Sequence, residues 1–231
     1  MVGILSPERF YGIDVFVDSL IILVAALISY QSRKIYLFIK EKNYEFFSWA
    51  FLSIAISFFF KVIADLTILK AIRITQPNFI AEIVHEQLET LQLINFFAAL
   101  LYKIFLMLGF MTFFLIVNKN KKSDNVLLFI YLSILTVILS IYFHFIFYVT
   151  LAVIVLLLTI YFYDNYKKKK TKNRLLVFLA FLLVLISNLL GIFYEFSPEI
   201  YLIEELFLFF GFLTLLANHL RLKNGKEKNK A

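Results

Sequence analysis

The chain has 231 residues, of which 62% are hydrophobic and 17% charged, with a mean hydropathy of +0.87 and a net charge of +7. Soluble domains run at about 45–50% apolar and about 25% charged, so an ordinary soluble domain is excluded. With no cysteine, disulfides, thiolate zinc sites, iron–sulfur clusters and cysteine nucleophiles are excluded together.

Residues 1–12 carry Glu8 and Arg9 but no basic leader segment and no small-residue cleavage site, so the chain is expected to enter the membrane directly rather than through a removable signal peptide. A transmembrane helix needs about 20 apolar residues, and the apolar runs predict spans at 13–32, 46–68, 91–117, 126–142, 144–163, 175–195 and 199–222. The outer connection before span 3 holds Phe79, Ile80, Ile83, Val84, Leu88 and Leu91 at helical spacing, opposite Glu82, His85, Glu86 and Glu89. It predicts an amphipathic helix that lies on the surface or extends span 3, with Asn78 as its cap. Residues 126–163 contain no formal charge. As one helix they would measure about 57 Å, nearly twice the hydrocarbon thickness, so they must be two, turning near Ser140 and His144. The expected class is therefore an all-α polytopic membrane protein of one seven-helix domain over residues 1–222, with a basic tail at 223–231.

The basic residues set the orientation. Arg33, Lys34, Lys40 and Lys42 lie between spans 1 and 2, Lys119, Lys121 and Lys122 between 3 and 4, and residues 167–174 add six more. Arg221, Lys223, Lys226, Lys228 and Lys230 follow span 7, which puts 18 of the 23 basic residues on one side. The N-terminus is expected outside and the C-terminus in the cytoplasm of a cell membrane. Basic loops of this kind fix topology and touch anionic headgroups; no nucleic-acid partner is implied, because the lysines sit in short gaps rather than on a folded basic surface.

Charges inside a span cost roughly 2.5–3.5 kcal/mol each and usually face the bundle interior. At 1.5 Å per residue, Asp18, Lys61, Lys103 and Asn188 all stand about 20–22 Å above the cytoplasmic ends of spans 1, 2, 3 and 6. About a turn further out come Asp14, Asp65, Glu195, Glu204 and Glu205. On span 2, Trp49, Ser53, Ser57, Lys61 and Asp65 recur every fourth residue and predict a polar stripe. Asn95, Ala99 and Lys103 on span 3, and Asn188, Gly191 and Glu195 on span 6, suggest similar faces. Spans 4 and 5 carry no charge and are expected at the lipid-facing periphery, with the cavity among helices 1, 2, 3, 6 and 7.

Two readings compete for Asp18, Lys61, Asp65, Lys103, Asn188, Glu204 and Glu205. In one, Lys61 pairs with Asp65, and Lys103 with Glu204, Glu205 or Asp18, and these pairs specify bundle assembly. In the other, the layer is a polar pocket for a small-molecule or lipid ligand, or a carboxylate carries protons. His85, His144 and His219 are scattered, so no metal site is expected, and no cofactor is implied.

Seven helices with an outside N-terminus resemble the rhodopsin arrangement, but span 7 lacks the lysine that would attach retinal. The string from Glu204 and Glu205 to Phe209, Phe210 and Gly211 resembles the first motif of CAAX-type intramembrane proteases. A phenylalanine stands where that family needs arginine, and no later helix supplies histidines. Ser29, Tyr30, Ser32, Lys34, Ile35 and Tyr36 close span 1, and Tyr44, Phe46, Phe47, Ala50 and Phe51 open span 2. With Ser187, Asn188, Leu189 and Leu190, then Tyr201, Leu202 and Ile203, then Gly211, Phe212 and Leu213, the layout is similar to small archaeal seven-helix membrane proteins, whose relatives include input modules of sensor kinases. That resemblance implies a topology and no catalytic residue. Its pattern has a histidine in span 7 near Glu204 or Glu205, which this sequence lacks, so it implies no metal or haem.

The expected function is a sensing or accessory membrane module, acting on the lipid bilayer, a small ligand or a partner signalling protein. Transport or ion translocation through Lys61, Lys103 and Asp18 is the alternative, and a membrane-embedded enzyme the third reading. The inner halves of the spans offer little polarity beyond Ser29, Ser53, Asn218 and His219, which favours sensing over transport.

Overall fold

A computed structural model describes residues 12–74, 81–117, 123–193 and 197–228. They form seven helices: α1 (Ile13–Ile39), α2 (Lys42–Ile74), α3 (Ala81–Val117), α4 (Ser123–Leu139), α5 (His144–Lys168), α6 (Lys172–Gly191) and α7 (Pro198–Lys228). No strand occurs among the described residues. The stretches Ile13–Ile39, Lys42–Ile68, Leu88–Val117, His144–Lys168, Lys172–Gly191 and Glu199–Arg221 are each long and apolar enough to cross a membrane. The protein has the architecture of a multi-pass membrane protein.

The helix ends follow local chemistry. Ser197 Oγ accepts the Glu199 N–H at 3.2 Å, and Pro198 occupies the first helical position of α7, where its missing N–H has no partner to lose. α1 ends at Lys40, whose left-handed backbone (φ 55°) lets its N–H reach the Tyr36 carbonyl at 2.7 Å. α6 stops at Gly191, four residues short of the predicted end of span 6, and residues 192 and 193 turn out of the helix. The uncharged run does break in two, with a turn at residues 140–143. α3 is continuous from Ala81, so the amphipathic segment extends span 3 from that residue, while Pro77 and Asn78 lie outside the described residues.

Packing does not follow chain order. The neighbours run α1, α2, α3, α5, α6, α7 and back to α1, a closed ring of six, with α4 seated against α3 and α5. α3 and α5 run parallel: Tyr102 meets Phe147 (ring centroids 6.0 Å), while Phe113 and Phe162 both meet Phe181 (5.8 and 4.6 Å). α4 therefore carries the chain back, and its 17 residues cover only about 25 Å. The expectation that spans 4 and 5 both lie at the periphery is corrected for α5. Phe147, Leu151, Val155 and Leu158 are fully buried, because α5 is the helix that bridges α3 to α6.

The bundle is apolar outside and partly polar within. Phe16, Leu23, Phe38 and Tyr142 are exposed, whereas Asp18, Lys61 and Asp65 are buried, the reverse of a soluble helix bundle. Towards the lysine-bearing end the interior is aromatic, with Phe51 and Phe113 edge to face at 5.0 Å. Small residues let helices approach: a Cβ at Gly211 would lie 2.8 Å from Val184 Cγ2 on α6. Reciprocal bonds from Ser29 Oγ to the Ser48 carbonyl (2.8 Å) and from Ser48 Oγ to the Ser29 carbonyl (2.9 Å) tie α1 to α2.

Candidate functional site

Lys61 projects from α2 to where α1, α2 and α7 meet. Its Nζ donates to Asp18 Oδ1 at 3.1 Å, stands 3.1 Å from Asp18 Oδ2 and pairs with Glu205 Oε1. All three side chains are at least 95% buried. The rings of Phe58 and Tyr201 flank the ammonium at 5.7 and 5.9 Å and exclude water from it. Lys61 therefore pairs across helices with Asp18 and Glu205, not along its own helix with Asp65.

Further carboxyls surround this triad. Asp65, four residues along α2 from Lys61, is fully buried beside Asp18, and neither of its oxygens has a hydrogen-bond donor. Two adjoining carboxyls share a hydrogen bond only when a proton sits between them. Glu204 is buried next to Glu205 and receives the Tyr148 hydroxyl from α5. Asp14 opens α1, its Oδ1 accepting the N–H groups of Gly12 and Val15 at 2.9 Å, as suits an acid at a helix N-terminus. Among the described residues, the buried side-chain atoms without a hydrogen-bond or ion-pair partner concentrate here: Asp14 Oδ2, both Asp65 oxygens, Glu204 Oε2, Glu205 Oε2 and the Tyr201 hydroxyl. One cation thus faces five carboxyls.

Gly191 makes room for the Glu204 side of the cluster. A Cβ there would overlap the Tyr148 ring and lie 3.1 Å from Glu204 Oε1, so α5, α6 and α7 meet at a point only glycine allows. Asn188, a turn earlier, is buried but spends its Nδ2 on its own helix, donating to the Val184 carbonyl at 2.7 Å. Glu195 lies outside the described residues.

Lys103 lies elsewhere. Its Nζ contacts the Ser140 carbonyl and Oγ, both at 3.1 Å, and His144 Nδ1 at 3.2 Å, in the turn between α4 and α5. No carboxylate stands within ion-pair distance of it among the described residues. The expected pairing of Lys103 with Glu204, Glu205 or Asp18 is corrected, because α4 and α5 are its neighbours. The polar layer is thus two sites, and the groove beside Lys103 is lined by α3, α4 and α5, rather than by helices 1, 2, 3, 6 and 7.

The stripe on α2 is shorter than four-residue spacing suggests. Ser57 is buried and donates to the Tyr102 carbonyl at 2.8 Å, but Trp49 is exposed. Each four-residue step drifts about 40° around a helix of 3.6 residues per turn, so Trp49 is about 160° from Asp65. Asn95 donates to the Ala64 carbonyl at 2.9 Å and helps hold α3 to α2. Tyr201 and Tyr148 were missed as site residues because a search for formal charge passes over phenols, although Tyr201 falls on α7, which also carries Glu204 and Glu205.

Among the described residues no group of three or more His, Asp or Glu is placed to hold a metal ion. No family model matches the chain, and neither a curated protein nor a solved structure matches it.

Proposed function

We propose that this protein is a sensing or accessory module of the cell membrane, responding to a small molecule or a lipid through its acid-bearing end. In this reading the N-terminus is outside, the C-terminus is cytoplasmic, α4 is a short seventh crossing, and the output passes to a partner protein in or at the membrane. The observation that carries it is the contrast along the ring. Six unpartnered polar atoms gather around Lys61 at one end, while Phe47, Phe51, Phe110 and Phe113 pack in tilted and edge-to-face contacts towards the other. A transporter needs polar groups along a whole path, and this interior favours response at one end over passage through.

The chain has no cysteine, so single cysteines can report water access directly. Asp65→Cys and Glu204→Cys are expected to react with a small permeant thiol reagent, whereas Phe51→Cys and Phe110→Cys stay unreactive. In proteoliposomes the protein is expected not to dissipate an imposed proton gradient. Reactivity along the whole ring together with gradient collapse would establish transport and overturn the reading. A thermal-shift series with sodium, organic amines and phospholipids, read on wild type and Asp65→Asn, then reports the response. A shift absent from Asp65→Asn supports the reading, and no shift with any probe counts against it.

A further inference from the structure

We propose that the groove at Lys103, between α3, α4 and the first turn of α5, binds the phosphate of an anionic lipid. The inference rests on the reading of this end as the responsive one and names one ligand class for it. Lys61 and Lys103 are both buried, yet among the described residues only Lys61 has carboxylates to balance it. Lys103 has a carbonyl, a hydroxyl and an imidazole nitrogen, which satisfy its N–H groups but not its charge. A nitrogen that accepts from an ammonium carries no proton, so His144 adds no second cation on that side. The Phe147 ring closes another flank at 5.7 Å from Nζ. An unbalanced charge in hydrocarbon is costly, and a diffusing anion from the bilayer removes that cost.

The surroundings favour a lipid over a free ion. The groove walls are Phe96, Ala99, Leu100, Val137 and Ile141, a shallow apolar surface against which an acyl chain packs from the bilayer side. Next to the lining residues in sequence stand the exposed aromatic side chains of Phe97, Tyr142, Phe143 and Phe145, and aromatic residues gather where hydrocarbon meets headgroups. α5 begins at the same place, and Phe143 at its N-cap contributes no side-chain hydrogen bond, so the first amides of α5 add partial positive charge beside the ammonium. Lateral access follows from α4, which sits outside the six-helix ring and touches only α3 and α5 closely.

The test uses the full chain in mild detergent, with native mass spectrometry after addition of phosphatidylglycerol or phosphatidylcholine of the same acyl chains. One phosphatidylglycerol is expected to stay bound in preference to phosphatidylcholine, with Lys103→Met lowering that preference about tenfold and Lys103→Arg retaining it. Lys168→Met, in the exposed last turn of α5, is expected to leave it unchanged. Should Lys103→Met fail to fold, Ala99→Leu narrows the groove while keeping the lysine, and is expected to weaken binding likewise. Equal retention of the two lipids, or a preference that survives both Lys103→Met and Ala99→Leu, overturns the proposal. Inorganic phosphate displacing the lipid at millimolar concentration would make the ligand a free phosphate and overturn the lipid assignment. Failure here with the Asp65-dependent response intact removes this inference alone, whereas loss of the response with lipid preference intact removes the broader reading.

Discussion

Lys61→Met leaves the buried Asp18 and Glu205 carboxylates facing each other without their cation. Lys61 is 4% exposed and its two partners 0% and 5%, so solvent screens the pairs little. Removing one partner of a buried ion pair typically costs about 3–5 kcal/mol, because the remaining charge keeps its desolvation penalty. For a chain of this size about 1 kcal/mol corresponds to roughly 2–4 °C, so the unfolding midpoint in detergent is expected to fall by about 6–20 °C. The assay is fluorescence-detected size-exclusion chromatography after heating, since the measurement needs no cysteine probe. Lys61→Met combined with Asp18→Asn and Glu205→Gln removes all three charges and is expected to recover most of the loss. A cost under about 1 kcal/mol for Lys61→Met, the range of exposed pairs, would refute the buried-triad argument, as would a triple variant less stable than the single one.

Gly191→Ala drives a methyl group into the Tyr148 ring and is expected to cost about 1–3 kcal/mol in the same melting assay, with Tyr148→Ala restoring part of it. Ser29→Ala and Ser48→Ala each remove one hydroxyl of the reciprocal α1–α2 bridge. Membrane hydrogen bonds average about 0.6 kcal/mol, so small losses are expected, with a non-additive double variant. Lys40→Gly relieves a left-handed backbone at the end of α1 and is expected to raise the midpoint by up to about 1 kcal/mol equivalent. In intact cells Glu199→Cys is expected to react with an impermeant maleimide and Lys168→Cys only after permeabilisation; the opposite pattern would reverse the proposed orientation.

The elements were legible because hydropathy and helix length are one-dimensional quantities. The length limit on residues 126–163 alone required the break that the structure places at 140–143. Depth along a span was legible too, since rise per residue is constant, and it put Asp18 and Lys61 at one level. Azimuth and neighbour order were not. Rise says nothing about which helix stands opposite, so Lys103 shared a depth with Lys61 but not a site. The step from α3 to α5 past α4 depends on packing between helices distant in sequence, which hydropathy does not encode. Trp49 failed for a related reason, as a four-residue repeat stays on one face only for about two turns.

The triad also constrains the order in which the bundle can be completed. Asp18 and Lys61 belong to the first helical hairpin and can pair soon after it inserts, but Glu205 lies 144 residues further on from Lys61. Until α7 arrives, Asp14, Asp18 and Asp65 sit in two inserted helices with one lysine among them, and the gap between α1 and α6 stays open to lipid. Without α7 the acidic seam of α1 and α2 is therefore left uncovered, at the cost that unpaired charge carries in hydrocarbon. α7 closes the ring between α6 and α1 and covers that seam in one step, so the interior that holds the triad is complete only once α7 is in place.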